Sequence, residues 1–414
     1  MNRRQYTALL HLLRPLLPLR LWWRGRRQPG YREHWRERFG RYDGAPNAAP
    51  LFWIHAVSVG ETRAAEPLVR ALLARHPDHR VLITHMTPTG RATGEQLFGD
   101  RVLRAYLPYD YPGAVARFLE HYRPTFGLLM ETEIWPNLIA AAHARGIPVH
   151  LVNARLSERS YRRYARHRAL ASEALQGLAG VAAQTAADAA RFADLGAPAP
   201  QVVGNLKFDI APAPELVARG ESWRAAFARG HVVLAASTRP GEEALVLEAG
   251  APLVSDDVLL VIVPRHPERC EEVAALARSR GLAVQRRSAG VALAPETRVL
   301  IGDTLGEMFA YYAAADVVIM GGSLLDYGSQ NLIEPCALGK PVLIGPSRYN
   351  FAEAAARALE AGAALSVTDA ASITLASRRV MEDDALAQRM SAAARAFAGA
   401  HQGATARLLG LIDG

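Results

Sequence analysis

The sequence predicts an α/β protein made of two doubly wound halves, preceded by an oily, basic segment. Three observations carry this. Short apolar runs alternate with amphipathic stretches along most of the chain, as expected of parallel strands covered by helices on both faces. The alternation stops once, in the proline- and alanine-rich stretch at 211–214, and then restarts. Polar or glycine-rich turns follow the apolar runs, where doubly wound sheets place their ligands.

Composition limits the function classes. With 414 residues, 50% hydrophobic and 21% charged, the chain is globular and long enough for more than one core. Its two cysteines, Cys270 and Cys336, are too few for a disulfide framework and too far apart for a zinc knuckle. The 48 Lys and Arg against 40 Asp and Glu give a net charge of +8, which favours an anionic partner: a nucleotide, a nucleic acid or an acidic lipid surface. Lys207 and Lys340 are the only lysines, positions where a compact ammonium on a flexible stem does what a planar guanidinium does less well.

The elements follow in order. Residues 6–23 read YTALLHLLRPLLPLRLWW, flanked by Arg3, Arg4, Arg24, Arg26 and Arg27. Arg14, Pro15, Pro18 and Arg20 break the apolar run before it reaches the length of a membrane span. The segment reads as a shallow anchor at a cytoplasmic membrane face, with Trp22 and Trp23 at headgroup level; the alternative is a buried first helix. After a linker near 43–50, strands are expected at 51–57, 80–85, 126–130, 149–153, 181–184 and 201–204. Ala64, Leu68, Val69, Leu72 and Leu73 show helical spacing. The second series is expected at 232–236, 258–263, 299–301, 317–320 and 341–344. The expected division is 1–42 membrane-associated, 43–210 first half and 211–414 second half, with a ligand cleft between facing halves.

Several turns carry candidate chemistry. HAVSVGE (55–61) places Ser58, Gly60 and Glu61 after the first strand, where position argues for chemistry, while Ser58 and Glu61 equally form a Ser-x-x-Glu capping box. METEIWPN (130–137) offers Glu131 and Glu133, on opposite sides if the strand continues, so that one faces the cleft. NLKFD (205–209) brings Lys207, to a ligand anion or to Asp209. In the second half Ser237, Thr238, Arg265, His266, Asp303 and Thr304 follow strands and suit a phosphate or a sugar acid. GGS (321–323) and GSQNLIE (328–334) offer Gly322 and Ser323, whose backbone N–H groups can approach an anion. In the same stretch Asn331 and Glu334 open a helix whose N-terminus favours negative charge, Glu334 suiting ribose hydroxyls. RLSERSYRRYARHR (155–168) is dense in cations, among them Arg162, Arg163 and Arg166, and reads as a lipid-phosphate contact, a nucleic-acid contact or a solvated face. Walker, dinucleotide-binding and zinc-protease patterns are absent from the sequence, and no metal is expected.

These motifs, with MTPTG (86–90), LPYD (107–110), NARLSERS (153–160), PRHPER (264–269) and GDTLGEM (302–308), resemble in order those of the 3-deoxy-D-manno-oct-2-ulosonic acid (Kdo) transferases. Ser329 and Gln330 stand where that family often has a more glycine- or histidine-like loop. The resemblance implies the two-domain GT-B glycosyltransferase fold and inverting transfer of Kdo from CMP-Kdo to the lipid A precursor, lipid IVA. It places the enzyme at the cytoplasmic side of the Gram-negative inner membrane, without a cofactor. It implies Glu61 as general base with Glu131 and Glu133 beside it. It implies that the GGS and NLIE segment grips CMP; with the strand-end positions above, the donor is expected at Lys207, Ser237, Thr238, Arg265, His266, Asp303, Thr304, Gly322, Ser323, Asn331 and Glu334, and the acceptor at Ser58, Gly60, Arg162, Arg163 and Arg166. A nucleotide-sugar epimerase of the same fold would not need the N-terminal anchor. A basic nucleic-acid-binding protein would leave the strand-end acids without a role.

Overall fold

A computed structural model describes residues 1–209, 212–290, 292–400 and 402–413. The chain divides into two compact units, Met1–Asp209 with Gln402–Gly414, and the stretch between them.

The first unit is built on a parallel sheet of β1 (Leu51–His55), β2 (Arg80–His85), β3 (Leu103–Tyr106), β4 (Phe126–Met130), β5 (Val149–Ala154), β6 (Gly180–Ala183) and β7 (Gln201–Val202), in the order 3-2-1-4-5-6-7. Along β1, Leu51 and Trp53 enter the core on one face while Phe52 and Ile54 enter the core on the other. Burial on both faces is why this strand is an unbroken apolar run. The second unit repeats the plan with β8 (His231–Thr238), β9 (Val258–Pro264), β10 (Val284–Arg286), β11 (Val299–Ile301), β12 (Val317–Met320), β13 (Val342–Ile344) and β14 (Ala364–Ser366), in the order 10-11-9-8-12-13-14. The strand order reverses between β1 and β4 in one sheet and between β8 and β12 in the other, and the carboxyl ends of those pairs are where such sheets hold ligands.

The structure departs from the sequence reading at the margins. β3, β10 and β14 were not expected; their sequences LRAY, VQR and ALS are short and partly polar, as suits strands at sheet edges. Residues 1–42 belong to the first unit, with Tyr31 and Arg38 fully inside it. Their two opening helices, Arg3–Leu13 and Leu16–Arg27, are separated at Arg14 and Pro15, and among the described residues no helix is long and apolar enough to cross a membrane. The last helix, Ala404–Asp413, lies with the first unit and not with the second half. Its Ala404, Leu408 and Leu409 complete the core that holds Ile54 and Met130.

Asp209 fastens that helix. Its carboxylate accepts from Gly403 N at 2.6 Å, Ala404 N at 3.2 Å and Thr405 N, satisfying N–H groups that a helix start leaves open. Asp209→Ala should therefore lower unfolding stability by about 1–2 kcal/mol in denaturant titration, with Asp209→Asn losing less.

Candidate active site

At the switch point of the first unit, β1 ends and the chain enters the helix Val59–Ala64 through Ser58, whose Oγ accepts from Glu61 N at 3.5 Å. The Glu61 side chain folds back over this turn. Its Oε1 accepts from Ser58 Oγ at 2.9 Å and its Oε2 from Val57 N at 2.8 Å. The capping reading and the base reading therefore describe one carboxylate. Burial pushes its pKa up to about 7; the two hydrogen bonds oppose the rise, and the charges of Glu131 and Glu133 add to it. Gly60 is exposed beside it and Ser58 is half-buried.

β4 stops at Met130, and Glu131 takes a left-handed backbone, φ 57°. The alternation that would have put Glu131 and Glu133 on opposite sides therefore does not apply, and both act on Glu61. Glu131 Oε1 lies 3.7 Å from Lys207 Nζ. Lys207 thus faces Glu131 and not Asp209, whose carboxylate is taken by the last helix. Glu133 Oε2 accepts from Trp135 Nε1 at 2.9 Å and stands 3.8 Å from Nε2 of His55, the last residue of β1. His55 is fully buried, which lowers its pKa to about 3, so a neutral ring meets a carboxyl whose own pKa is raised by burial. Sequence reasoning did not single out His55; its one signal was a titratable residue closing an apolar strand.

The arginine stretch forms the helix Glu158–Ala165. Arg162, Arg163 and Arg166 are exposed, Arg162 pairing with Glu158 at 2.9 Å and Arg163 lying 5.9 Å from the Tyr164 ring centroid. Tyr164 donates to Thr132 O at 3.4 Å, which attaches this cationic helix to the turn bearing Glu131 and Glu133.

In the second unit the turn after β12 runs against the end of β8. Gly321 is required there, since a Cβ would stand 2.4 Å from Ser237 O. Of the two N–H groups expected to meet a ligand, that of Gly322 is already engaged. Fully buried Glu242 accepts from Gly322 N at 2.7 Å, Leu324 N at 2.9 Å, Leu325 N at 3.3 Å and Arg239 N at 2.8 Å. Other expected donor residues are also occupied within the unit. Ser323 Oγ donates to Met320 O and accepts from Gly345 N at 2.8 Å. Thr238 donates to Glu243 at 2.8 Å, and Glu243 is held by Arg269. Asp303 accepts from Arg286 Nε at 2.7 Å and Ser288 N at 2.8 Å, and Thr304 donates to Glu307. In each case a polar group, fully buried at Ser323 and Thr238, finds its partner inside the fold. Glu242, like His55, is a residue that sequence reasoning missed.

The remaining expected donor residues of this unit make other contacts. The Ser237 hydroxyl has a weak contact with Met308 Sδ at 3.8 Å. Arg265 and His266 are exposed after β9, His266 Nε2 lying 2.8 Å from Arg239 Nη1. Asn331 donates to Glu334 Oε1 at 3.2 Å, and Glu334 also hydrogen-bonds the Tyr312 hydroxyl. The helix they introduce, Ile333–Ala337, is a single short turn, so the expected helix-dipole contribution is small. Among the described residues no three His, Cys, Asp or Glu are grouped to hold a metal ion.

Residues 33–210 match the family described as 3-deoxy-D-manno-octulosonic-acid transferase (kdotransferase). Over its whole length the chain is 48% identical to the 3-deoxy-D-manno-octulosonic acid transferase of Bordetella pertussis, covering 99% of that protein. The chain belongs to the Kdo transferase family. The Haemophilus influenzae transferase is 35% identical, with 98% of this chain and 97% of that one covered. A UDP-GlcNAc 2-epimerase from Neisseria meningitidis shares the fold, with a TM-score of 0.58, 16% identity and coverage of 88% of this chain and 100% of that one. The two seven-stranded parallel sheets are thus a GT-B fold, and the protein is a glycosyltransferase that transfers Kdo.

The raised proton affinity of Glu61 has a sign that can be checked. Its folded pKa lies above the ordinary value of 4.5, so its stabilising contribution is present at acid pH and is lost as pH rises toward about 7. A glutamine can accept from Val57 N and donate to Ser58 without titrating. The melting temperature of Glu61→Gln should match wild type near pH 4 and exceed it at pH 8.

Proposed function

We propose that this Kdo transferase uses CMP-Kdo as donor and lipid IVA as acceptor, and that Glu61 is the general base of an inverting single displacement. The observation that carries the reading is the Glu61 carboxylate, held at the β1 switch point with a pKa near 7. A base with that affinity is ionised often enough near neutrality to take a proton and basic enough to want one. The acceptor hydroxyl oxygen attacks the anomeric carbon of Kdo while its proton passes to Glu61. The bond from that carbon to the phosphate oxygen breaks, its electron pair leaving with CMP. Burial keeps Glu61 basic, Glu131 and Glu133 add to the effect, and Lys207 limits the repulsion.

On the donor side, Arg265 and His266 suit the phosphate, Ser237 the sugar acid, and Asn331 with Glu334 the ribose hydroxyls. CMP bears a single phosphate, which fixed cations can neutralise without a metal. For the acceptor, Arg162, Arg163 and Arg166 supply charge for a phosphorylated lipid. Leu9, Leu12, Leu13, Leu16, Leu19, Trp22 and Trp23 are exposed on the opening helices, with Arg26 4.4 Å from the Trp22 ring centroid and Arg27 5.6 Å from that of Trp23. Apolar side chains rimmed by arginine and tryptophan suit the headgroup boundary of an anionic leaflet, which supports the reading of an enzyme working at the cytoplasmic side of the inner membrane.

Glu61→Gln should lower kcat for Kdo transfer by about 10²–10⁴-fold while CMP affinity by calorimetry stays near wild type. Retained turnover would leave Glu61 as a cap alone. Replacing Arg162, Arg163 and Arg166 together by Gln should weaken acceptor engagement by about 2 kcal/mol, less than the sum of three free cations because Arg162 is already paired with Glu158. Donor affinity should not change, and added salt should weaken acceptor use more than CMP binding.

A further inference from the structure

The opening helix Arg3–Leu13 has no fully buried side chain, yet its polar contacts converge on one place in the first unit. Thr7 Oγ1 donates to Asn137 Oδ1 at 3.0 Å, the Tyr6 hydroxyl hydrogen-bonds Asp110, and Tyr111 OH donates to Leu10 O at 2.8 Å. Asp110, 2% exposed, is the centre of this group. Its two carboxylate oxygens accept from Asn137 N at 2.9 Å and Leu138 N at 2.8 Å, while Asn137 Nδ2 donates back to Asp110 O at 2.7 Å. These bonds fix the start of the helix Pro136–His143, which follows directly on the turn that holds Glu131, Glu133 and Trp135. The same opening helix exposes Leu9, Leu12 and Leu13.

We propose that Asp110 is a positioning residue which, through Tyr6, Thr7 and Asn137, couples docking of the opening helix to placement of the Glu131–Glu133 turn. The inference rests on the reading of Glu61 as base. A buried carboxylate bridging two segments by hydrogen bonds holds them in one geometry, and loss of a bond leaves an unsatisfied buried group that the turn must move to relieve. Its burial raises the Asp110 pKa to about 7, while Tyr6, the two backbone N–H groups and Arg3 favour its charged form.

The consequence reaches Glu61 through charge. Glu61 faces Glu131 and Glu133; Glu131 faces Lys207; Glu133 faces His55, Trp135 and Tyr164. When the turn loosens, the two acids recede from Glu61, its proton affinity falls, and the acid limb of kcat/KM moves to lower pH. A helix that is only a brace would change melting temperature and leave that limb in place.

The test uses the full chain in anionic phospholipid vesicles with lipid acceptor, comparing Tyr6→Phe, Thr7→Val and Thr7→Ser. Thr7→Val removes one half-buried hydrogen bond and Thr7→Ser restores it. The expected result for Tyr6→Phe and Thr7→Val is a fall in kcat of about tenfold, a displacement of the reacting groups well under 1 Å being enough for it. The acid limb should shift to lower pH, vesicle retention and CMP affinity should stay at wild type, and Thr7→Ser should recover both rate and limb. An unmoved acid limb, with or without a fall in melting temperature, overturns the proposal, as does Thr7→Ser behaving like Thr7→Val. Glu61→Gln run alongside separates the two readings: activity in that variant removes the base, whereas inactivity there with an unmoved limb in the Tyr6 and Thr7 variants removes only the coupling.

Discussion

The first unit is organised around the difficulty of holding three carboxylates together at the end of a buried parallel sheet. Glu61, Glu131 and Glu133 repel one another, and burial adds to the cost of ionising Glu61 and Glu133. What keeps them there is specific: Val57 N and Ser58 Oγ on Glu61, Lys207 on Glu131, Trp135 Nε1 on Glu133. The balance leaves Glu61 with a proton affinity matched to neutral pH. A single capping glutamate on an open helix end would sit at or below the ordinary carboxylate value, because the helix dipole favours its charge and nothing nearby opposes it.

Carboxylates closing on backbone N–H groups recur through both units. Asp110 holds the start of Pro136–His143, Asp209 the start of the last helix, Asp188 accepts from Leu156 N at 2.8 Å, and Glu242 holds the turn after β12. Strand-to-helix turns in a doubly wound sheet leave N–H groups unpaired, and a buried acid is one way to satisfy them. The device alone therefore does not mark a functional residue. Glu61 differs from Asp209 and Asp188 in having like charges arranged around it.

That difference also explains what the sequence revealed and what it concealed. Central strands such as β1 and β9 were legible because burial on both faces leaves few polar interruptions, whereas LRAY, VQR and ALS at the sheet edges carry no such signal. Glu61, Glu131 and Lys207 could be picked out because they follow strands at the carboxyl edge. The partnership of Lys207 with Glu131 could not, since 76 positions separate them and only the order 1-4-5-6-7 brings the turns together. In the second unit, the glycines of GGS pointed to open N–H groups, but Glu242 lies 80 positions from Gly322 and fills that role from inside. A glycine-rich turn shows that the backbone must come close to something; it does not say whether the neighbour is a ligand or the protein.

The two lysines sharpen the same point. In a chain otherwise written in arginine, Lys340 is mostly buried, its pKa lowered by that burial, and its ammonium donates to Ala313 O at 2.9 Å. A guanidinium there would bring five donors into a space where a single carbonyl is the partner, leaving buried N–H groups unsatisfied. Lys207 meets the opposite condition. It stands half-buried beside Glu131, whose charge, with that of Glu133, adds to the repulsion on top of the burial that raises the proton affinity of Glu61. A compact ammonium on a flexible stem offsets part of that repulsion while leaving Glu61 basic. A guanidinium could chelate a carboxylate through two parallel hydrogen bonds and would hold Glu131 more tightly, drawing the cluster toward full ionisation. Geometry and charge thus account for both positions without a common role: one lysine fits because its surroundings offer too few acceptors, the other because its surroundings need only partial neutralisation.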